Sequence, residues 1–153
     1  MVQSTLILLA LAASPAGVSQ PAPDWRTLPD ALAVAQASSV PALVYVQAVW
    51  CGPCRRLERE TFADAAVTER LAQFARAQLT IDDRDRTHRV GPYRLSEAEW
   101  ARRLGAGATP TLVVLSPDGA VLGRHTGYLP PSGLLPILDA ALAAPTLHAL
   151  PIQ

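Results

Sequence analysis

The chain has 153 residues, half of them hydrophobic, and its 13 basic and 13 acidic side chains balance at neutral pH. This length fits one compact domain with a substantial core, and the balanced charge excludes a broad electrostatic surface for nucleic acid or an acidic membrane. Every basic residue is arginine, which also excludes Schiff-base chemistry at a lysine.

The N-terminal segment has the order of a secretory signal. An apolar run at residues 6–13 leads into small residues, glycine and proline, with candidate cleavage sites after Ala16 and Ser19. A membrane span needs about 20 apolar residues, and Pro15 interrupts this run earlier. We therefore predict that residues 1–19 are a signal peptide and that the protein is exported to a bacterial periplasm.

The first half of the remaining chain predicts alternating helices and strands. Residues 24–37 have helical spacing, and Asp30 can cap the start of this helix. The dense apolar run at residues 40–49 predicts a strand that is covered on both faces. A helical region follows, in which Asp64 can cap a further turn, and residues 77–81 predict a second strand.

The middle of the chain is rich in charge. Residues 82–89, "DDRDRTHR", mix both signs without periodicity and are most simply interpreted as a solvated loop. Ser96 and Glu99 then have the spacing of a capping box, which predicts a helix with Trp100 on its buried side.

The last part predicts a hairpin and a final helix. Residues 111–115 and 120–125 are strand-like and flank an "SPDG" turn. Ser132 can cap the last helix, with Pro136 in or just beyond its first turn, and residues 145–153 form a tail without a recognisable partner. The element order predicts one α/β domain with parallel and antiparallel strand pairing.

The only two cysteines, Cys51 and Cys54, lie between the first strand and the next helix. A bridge between them would close a very short loop, which gives it little value as a structural staple. The start of a helix favours the thiolate form of Cys51 and so lowers the pKa of its thiol. Pro53 fits the first helical turn. We expect Cys54 to be more buried than Cys51, so that Cys51 attacks a partner's disulfide and Cys54 resolves the mixed disulfide.

A metal-binding module is an alternative from a different class. A Cys-x-x-Cys pair can hold a soft ion such as Cu(I), as copper-delivery proteins of similar fold do. Those proteins generally add a histidine or a methionine, and the only methionine here is Met1, which would be lost with the signal peptide. Zinc requires four ligands, and none of His88, His125 and His148 has ligand spacing to the cysteines. We expect a surface or structural role for the histidines and no resident metal or cofactor.

Two distant motifs carry a family resemblance. "WCGPC" at residues 50–54 is the active-site sequence of thioredoxins, and "TPT" at residues 109–111 resembles the segment that holds their cis-proline. The longer run at residues 50–71 is most similar to the C-terminal domain of bacterial transmembrane thiol:disulfide interchange proteins and to periplasmic thioredoxins. The resemblance implies a thioredoxin-like α/β fold over residues 24–144: a single domain whose central mixed β-sheet is flanked by helices.

The same resemblance assigns roles to individual residues. Cys51 would be the nucleophile and Cys54 the resolving thiol. The partner-binding surface would be formed by Trp50, Gly52, Pro53, Thr109 and Pro110. Pro110 would follow a cis peptide bond, and Thr109 would offer its backbone to an extended client segment, which binds as an added strand.

The chain departs from the family at the position of a buried aspartate, where it has Tyr45, and at a lysine position, where we place Gln78. Glu58 lies four residues after Cys54, on the same helix face, and as a buried carboxylate it could accept the proton of that cysteine. Its alternative role is a surface ion pair with a neighbouring arginine such as Arg55.

We therefore predict an exported thiol:disulfide oxidoreductase, acting as a reductant on disulfide-bearing client proteins. A reductant in an oxidising compartment must be recharged, which implies a membrane-embedded thiol donor as partner; we expect a monomer and no binding to nucleic acid. A disulfide oxidase or isomerase is the alternative within the same chemistry, and a Cu(I) module using Cys51 and Cys54 is the alternative outside it.

Overall fold

A computed structural model describes residues 23–144. The predicted signal peptide at residues 1–19 and the predicted tail at residues 145–153 lie outside these described residues. Within residues 23–144, no helix combines the length and the apolar character needed to cross a membrane.

Helices and strands alternate along much of the chain. In chain order they are α1 (Leu28–Ser38), β1 (Ala42–Gln47), α2 (Gly52–Arg56), a π-helical turn (Leu57–Thr61), α3 (Ala65–Leu71), β2 (Ala75–Thr80), β3 (Thr87–Val90), β4 (Tyr93–Ser96), α4 (Glu97–Arg103), β5 (Thr111–Leu115), β6 (Val121–Thr126) and α5 (Pro131–Ala143).

The main sheet has four strands in the order β2-β1-β5-β6. β1 pairs in parallel with β2 and antiparallel with β5, which in turn pairs antiparallel with β6. Residues 42–46 of β1 are completely buried, as expected for a central strand covered on both faces. This mixed sheet with helices on both sides is the predicted fold class.

Two hydrophobic clusters cover the two faces of the sheet. One includes both cysteines together with side chains of the π-helical turn, α3 and α5, among them Leu57, Leu71 and Leu138. The other is formed against α1 and α4. The cysteine pair therefore rests on a packed core, which limits the movement of the segment that carries it.

The prediction of a solvated loop at residues 82–89 is wrong for its last three residues, 87–89. β3 pairs with β4 in a separate two-stranded sheet, and His88 on β3 is buried while Arg89 is exposed. The Trp100 indole N–H donates to the His88 backbone oxygen at 3.1 Å. A strand whose buried position is a histidine lacks the alternating apolar pattern on which strand prediction depends.

Two helix starts also differ from the predictions. Thr27, not Asp30, is the N-cap of α1, and Pro29 occupies its first turn. α5 begins at Pro131 after an N-cap without a side-chain hydrogen bond, so Ser132 does not cap it and Pro136 lies inside the helix. In both cases a proline, whose φ suits the first helical turn, begins the helix earlier than the polar residue would.

The predicted caps at Asp64 and Ser96 are present. The Asp64 carboxylate accepts from two backbone N–H groups at the start of α3. Ser96 Oγ accepts from the Glu99 N–H at 3.3 Å, and Glu99 Oε2 accepts from the Ser96 N–H at 2.8 Å, which completes the capping box.

Replacing Ser96 with alanine should destabilise the protein by about 1 kcal/mol, the usual loss when a helix cap is removed. The free energy of unfolding, measured in urea, should fall while its denaturant dependence stays unchanged. An unchanged unfolding midpoint would show that the capping box contributes nothing to the stability of α4.

Candidate active site

The cysteine pair lies where β1 gives way to α2. Cys51 is the N-cap of α2, and it forms a disulfide with Cys54 across a Cα–Cα distance of 5.2 Å. Pro53 lies in the first helical turn, where its missing N–H is not needed. The strand end and the helix start therefore bring the two sulfurs together, as the spacing of the cysteines predicts.

The two cysteines differ in their electrostatic surroundings more than in their burial. Cys51 is 2% exposed and Cys54 is 1% exposed, so the expected difference in burial is very small; the same hydrophobic cluster covers both residues. The Cys54 N–H donates to Cys51 Sγ at 3.1 Å. In the reduced protein this N–H would favour a thiolate at Cys51, because hydrogen bonds to a charged group stabilise the charged form.

The surface beside the disulfide is apolar. Val49 and Trp50 are 80% and 64% exposed, respectively, and Gly52 and Pro53 are also exposed. Exposed large apolar side chains grouped together are typical of a protein interaction site. The family resemblance predicts the contribution of Trp50 but not that of Val49, which the apolar run at residues 40–49 assigns only to a strand.

Trp50 is held by a residue that sequence analysis did not identify. Its indole N–H donates to Asp82 Oδ2 at 2.9 Å. Asp82 follows directly after Ile81, in the loop that leaves β2. The parallel pairing of β1 and β2 brings their carboxyl ends to the same edge of the sheet, which explains how residues so far apart along the chain meet.

Pro110 precedes β5 and follows a cis peptide bond after Thr109. β5 runs antiparallel to β1, with Thr111 opposite Val46. Pro110 therefore lies at the end of the sheet from which the segment carrying Cys51 leaves. The structure brings the "TPT" motif to the edge where the cysteines lie; the binding of a client segment by Thr109 stays a prediction.

Tyr45 is completely buried on β1, and its hydroxyl donates to Glu58 Oε1 at 3.0 Å. Burial raises the pKa of the Tyr45 phenol, and the neighbouring Glu58 carboxylate raises it further, so the phenol stays protonated at neutral pH. Gln78 lies opposite Tyr45 on β2. At the position where the resemblance implies an aspartate, Tyr45 thus provides a neutral hydrogen-bond donor.

Glu58 itself is exposed, so the expectation of a buried carboxylate is wrong. It lies in the π-helical turn, where Leu57 and Thr61 take the buried positions. Glu58 is nevertheless anchored, because a buried donor holds one of its oxygens while the rest of the side chain is accessible to water. The spacing to Cys54 indicates Glu58 as a candidate, but it does not reveal the hydrogen bond to Tyr45, which is 13 residues away along the chain.

The Tyr45 ring is held in a cluster of three aromatic side chains. Its centroid lies 5.4 Å from that of Trp25 and 5.2 Å from that of Phe62, and the latter two lie 5.1 Å apart. Trp25, predicted to be part of the first helix, lies before it and packs onto this core. Distances of this size suit tilted and edge-on aromatic contacts, which fix the direction of the Tyr45 hydroxyl.

Among residues 23–144, no group of three or more histidine, cysteine, aspartate or glutamate side chains is placed to hold a metal ion. The chemistry that the described residues offer is thiol–disulfide exchange at Cys51 and Cys54.

Comparisons with known proteins agree with this chemistry. A family model described as a thioredoxin-like domain matches residues 28–142. A thioredoxin from Thermus thermophilus is 30% identical, with a TM-score of 0.63, and the match covers 78% of this chain and 87% of the thioredoxin.

Two further solved structures have the same fold at lower identity. A DsbH oxidoreductase is 13% identical with a TM-score of 0.64, and the match covers 88% of this chain and 93% of the other. A disulphide isomerase from Xylella fastidiosa Temecula1 is 20% identical with a TM-score of 0.53, and the match covers 72% and 85%, respectively.

Proposed function

The chain belongs to the thioredoxin-like domain family, and on that premise we propose that this thiol:disulfide oxidoreductase reduces disulfide bonds of client proteins outside the cytoplasm. The observation that carries the proposal is the Cys51–Cys54 disulfide at the start of α2, beside the exposed apolar side chains of Val49 and Trp50. A disulfide under an apolar surface suits clients that are themselves proteins.

The reaction cycle follows from the positions of the two sulfurs. In the reduced protein the Cys51 thiolate attacks a client disulfide, a Cys51–client bond forms, and the second client sulfur leaves as a thiolate. Cys54 then loses its proton and attacks Cys51 Sγ, which releases the first client sulfur. Two electrons pass from the cysteine pair to the client, and the Cys51–Cys54 disulfide is restored.

The surroundings of Cys51 Sγ support the reducing direction. Within residues 23–144 it accepts one hydrogen bond, from the Cys54 N–H. The guanidinium of the adjacent Arg55 instead donates to the Val49 backbone oxygen at 3.2 Å. In a strong oxidant the reduced form is specially stabilised. A single neutral donor stabilises the Cys51 thiolate only modestly, and this favours a reductant.

The signal-like order of residues 1–19 supports export to the periplasm. There the oxidised cysteine pair needs a thiol donor to return to the dithiol, and a membrane-embedded donor meets that need; the dithiol cycle requires no cofactor. We expect the protein to act as a monomer.

Expression of the full chain in a Gram-negative host should yield a periplasmic product whose N-terminus lies just after Ala16 or Ser19, and a cytoplasmic, uncut product would contradict export.

The reduction potential tests the direction of electron flow. The full chain is equilibrated in glutathione buffers of known ratio, and the fraction of reduced Cys51 and Cys54 is counted with a thiol reagent. We expect a value near or below roughly −230 mV, toward the value of thioredoxin. A value near roughly −120 mV, typical of a strong oxidant, would contradict a reductant. Failure to form the disulfide at all would instead favour the Cu(I) module.

A further inference from the structure

A buried carboxylate lies in the part of the protein where a solvated loop was expected. Glu97, the first residue of α4, is only 2% exposed. Its Oε2 accepts from the Thr80 backbone N–H at 2.7 Å, and its Oε1 accepts from Arg86 Nη1 at 3.1 Å. His88 Nε2 lies 3.0 Å from the same Oε1 and donates to it in the tautomer that carries this proton. A buried charge is costly unless it is paired in this way, so Glu97 and its partners act as one unit.

This unit holds both ends of one loop, residues 81–86. At one end Glu97 binds Thr80, the last residue of β2. At the other end it binds the Arg86 side chain, and the Glu97 backbone N–H donates to the Arg86 backbone oxygen at 3.0 Å. Between them, the Ala98 N–H donates to the Asp83 backbone oxygen at 2.9 Å. The start of α4 therefore determines the path of the whole loop.

The same loop carries the partner of Trp50. Asp82, its second residue, accepts from the Trp50 indole N–H. Because the Trp50 side chain is largely exposed, few packing contacts hold it, and this hydrogen bond determines how the indole is directed. Contacts thus run without a gap from the buried Glu97, through the loop, to the surface beside Cys51.

We propose that Glu97 is a positioning residue of the redox site: with Arg86 and His88 it holds residues 81–86 so that Asp82 fixes the Trp50 indole in the client-binding surface. The inference rests on the proposed function only in that the client is a protein. A small disulfide reaches Cys51 without the apolar surface, whereas a protein disulfide needs that surface already arranged. Loss of the Glu97 charge therefore lowers the rate with protein clients selectively.

The test compares Glu97→Gln with the wild type in the full chain. Glutamine keeps the size of the side chain but places an amide N–H₂ against groups that are themselves donors. The reduced proteins are reacted with insulin and, separately, with 5,5′-dithiobis(2-nitrobenzoate). We expect about a tenfold lower rate constant with insulin, as for a misplaced binding group, an unchanged rate with the small disulfide, and faster hydrogen exchange of the Trp50 indole N–H.

Three further variants separate positioning from general destabilisation. Ser96→Ala weakens the start of α4 but leaves the Glu97 carboxylate, so its insulin rate should match the wild type. Asp82→Ala removes the bond to Trp50 directly and should reproduce the selective loss. Combining it with Glu97→Gln should add nothing, because both changes act through one contact and their effects are then not additive.

Equal losses with both disulfides, or additive effects of Asp82→Ala and Glu97→Gln, would overturn the positioning role. If Glu97→Gln does not fold, the exposed Arg86 provides the second variant. Arg86→Met removes one of the three hydrogen-bond donors to the Glu97 carboxylate and leaves the other two. An unchanged insulin rate in the Arg86→Met protein would equally overturn the proposal. If the wild type oxidises clients instead of reducing insulin, the proposed function fails. The ratio of variant to wild type is then measured with reduced, unfolded ribonuclease as client, and the same selective loss is expected.

Discussion

Replacing Cys54 with serine should stop the reaction at a covalent complex between the protein and its client. Cys51 can still attack the client disulfide, but no second thiol lies at the start of α2 to release it. An external thiol must then replace an intramolecular one, and turnover should fall by roughly a thousandfold or more, because a positioned group has a very high effective concentration. The complex should appear on a non-reducing gel as a band that a reductant removes.

The reciprocal variant, Cys51→Ser, is the matched control. It removes the sulfur that accepts the Cys54 N–H, and it should give neither turnover nor a covalent complex. Both variants lack the disulfide equally, so a difference in stability cannot explain the difference between them. A complex formed through Cys54 in the Cys51→Ser protein would reverse the assignment of nucleophile and resolving thiol.

Replacing Glu58 with glutamine should slow the resolving step by roughly a hundredfold, the lower end of the range for a positioned general base. Glu58 is exposed, and water can partly replace it, so a larger loss is not expected. The rate is measured in a single turnover as release of client from its mixed disulfide with Cys51. The loss should be greatest near neutral pH and should shrink above about pH 9, where a thiol ionises without help.

Tyr45→Phe tests whether the buried phenol contributes to this step. The substitution removes only the hydroxyl that donates to Glu58 Oε1. If this hydroxyl holds the base in place, its loss should slow the resolving step about tenfold. Glu60→Gln is the charge-matched control for Glu58→Gln, because it removes a carboxylate that binds Arg56 and the Tyr128 hydroxyl instead, and it should leave the rate unchanged. Normal release of client by the Glu58→Gln protein would reject the proton-transfer role.

Tyr45 stands where the family resemblance implies an aspartate, and this difference changes where a proton can be held. Because burial and the Glu58 carboxylate both raise the pKa of the phenol, Tyr45 itself cannot serve as a base at neutral pH. Its hydrogen-bond partner Glu58, on the π-helical turn that follows α2, is the acceptor that we propose. π-helical turns are frequent at functional sites, and here the turn places a carboxylate against a strand of the central sheet.

Short spacings along the chain predict several parts of this protein correctly. Cys51 and Cys54 are three residues apart, so their disulfide follows from one helical turn. The buried central strand and the capping box of Ser96 and Glu99 are equally local, since periodicity and end chemistry carry their signal. The family resemblance added the cis bond before Pro110, because spacing alone does not indicate a cis peptide.

The pairing of the polar side chains, in contrast, depends on how distant segments fold together. Tyr45 and Glu58 are 13 residues apart along the chain, Thr80 and Glu97 are 17 apart, and Trp50 and Asp82 are 32 apart. A glutamate that is exposed and one that is buried look alike in sequence, because burial of a charge depends on whether donors from other segments meet it. The strand that contains His88 is not predicted from the sequence for the same reason. The buried side chain of this strand is polar, and its hydrogen-bond partner is Glu97 of α4.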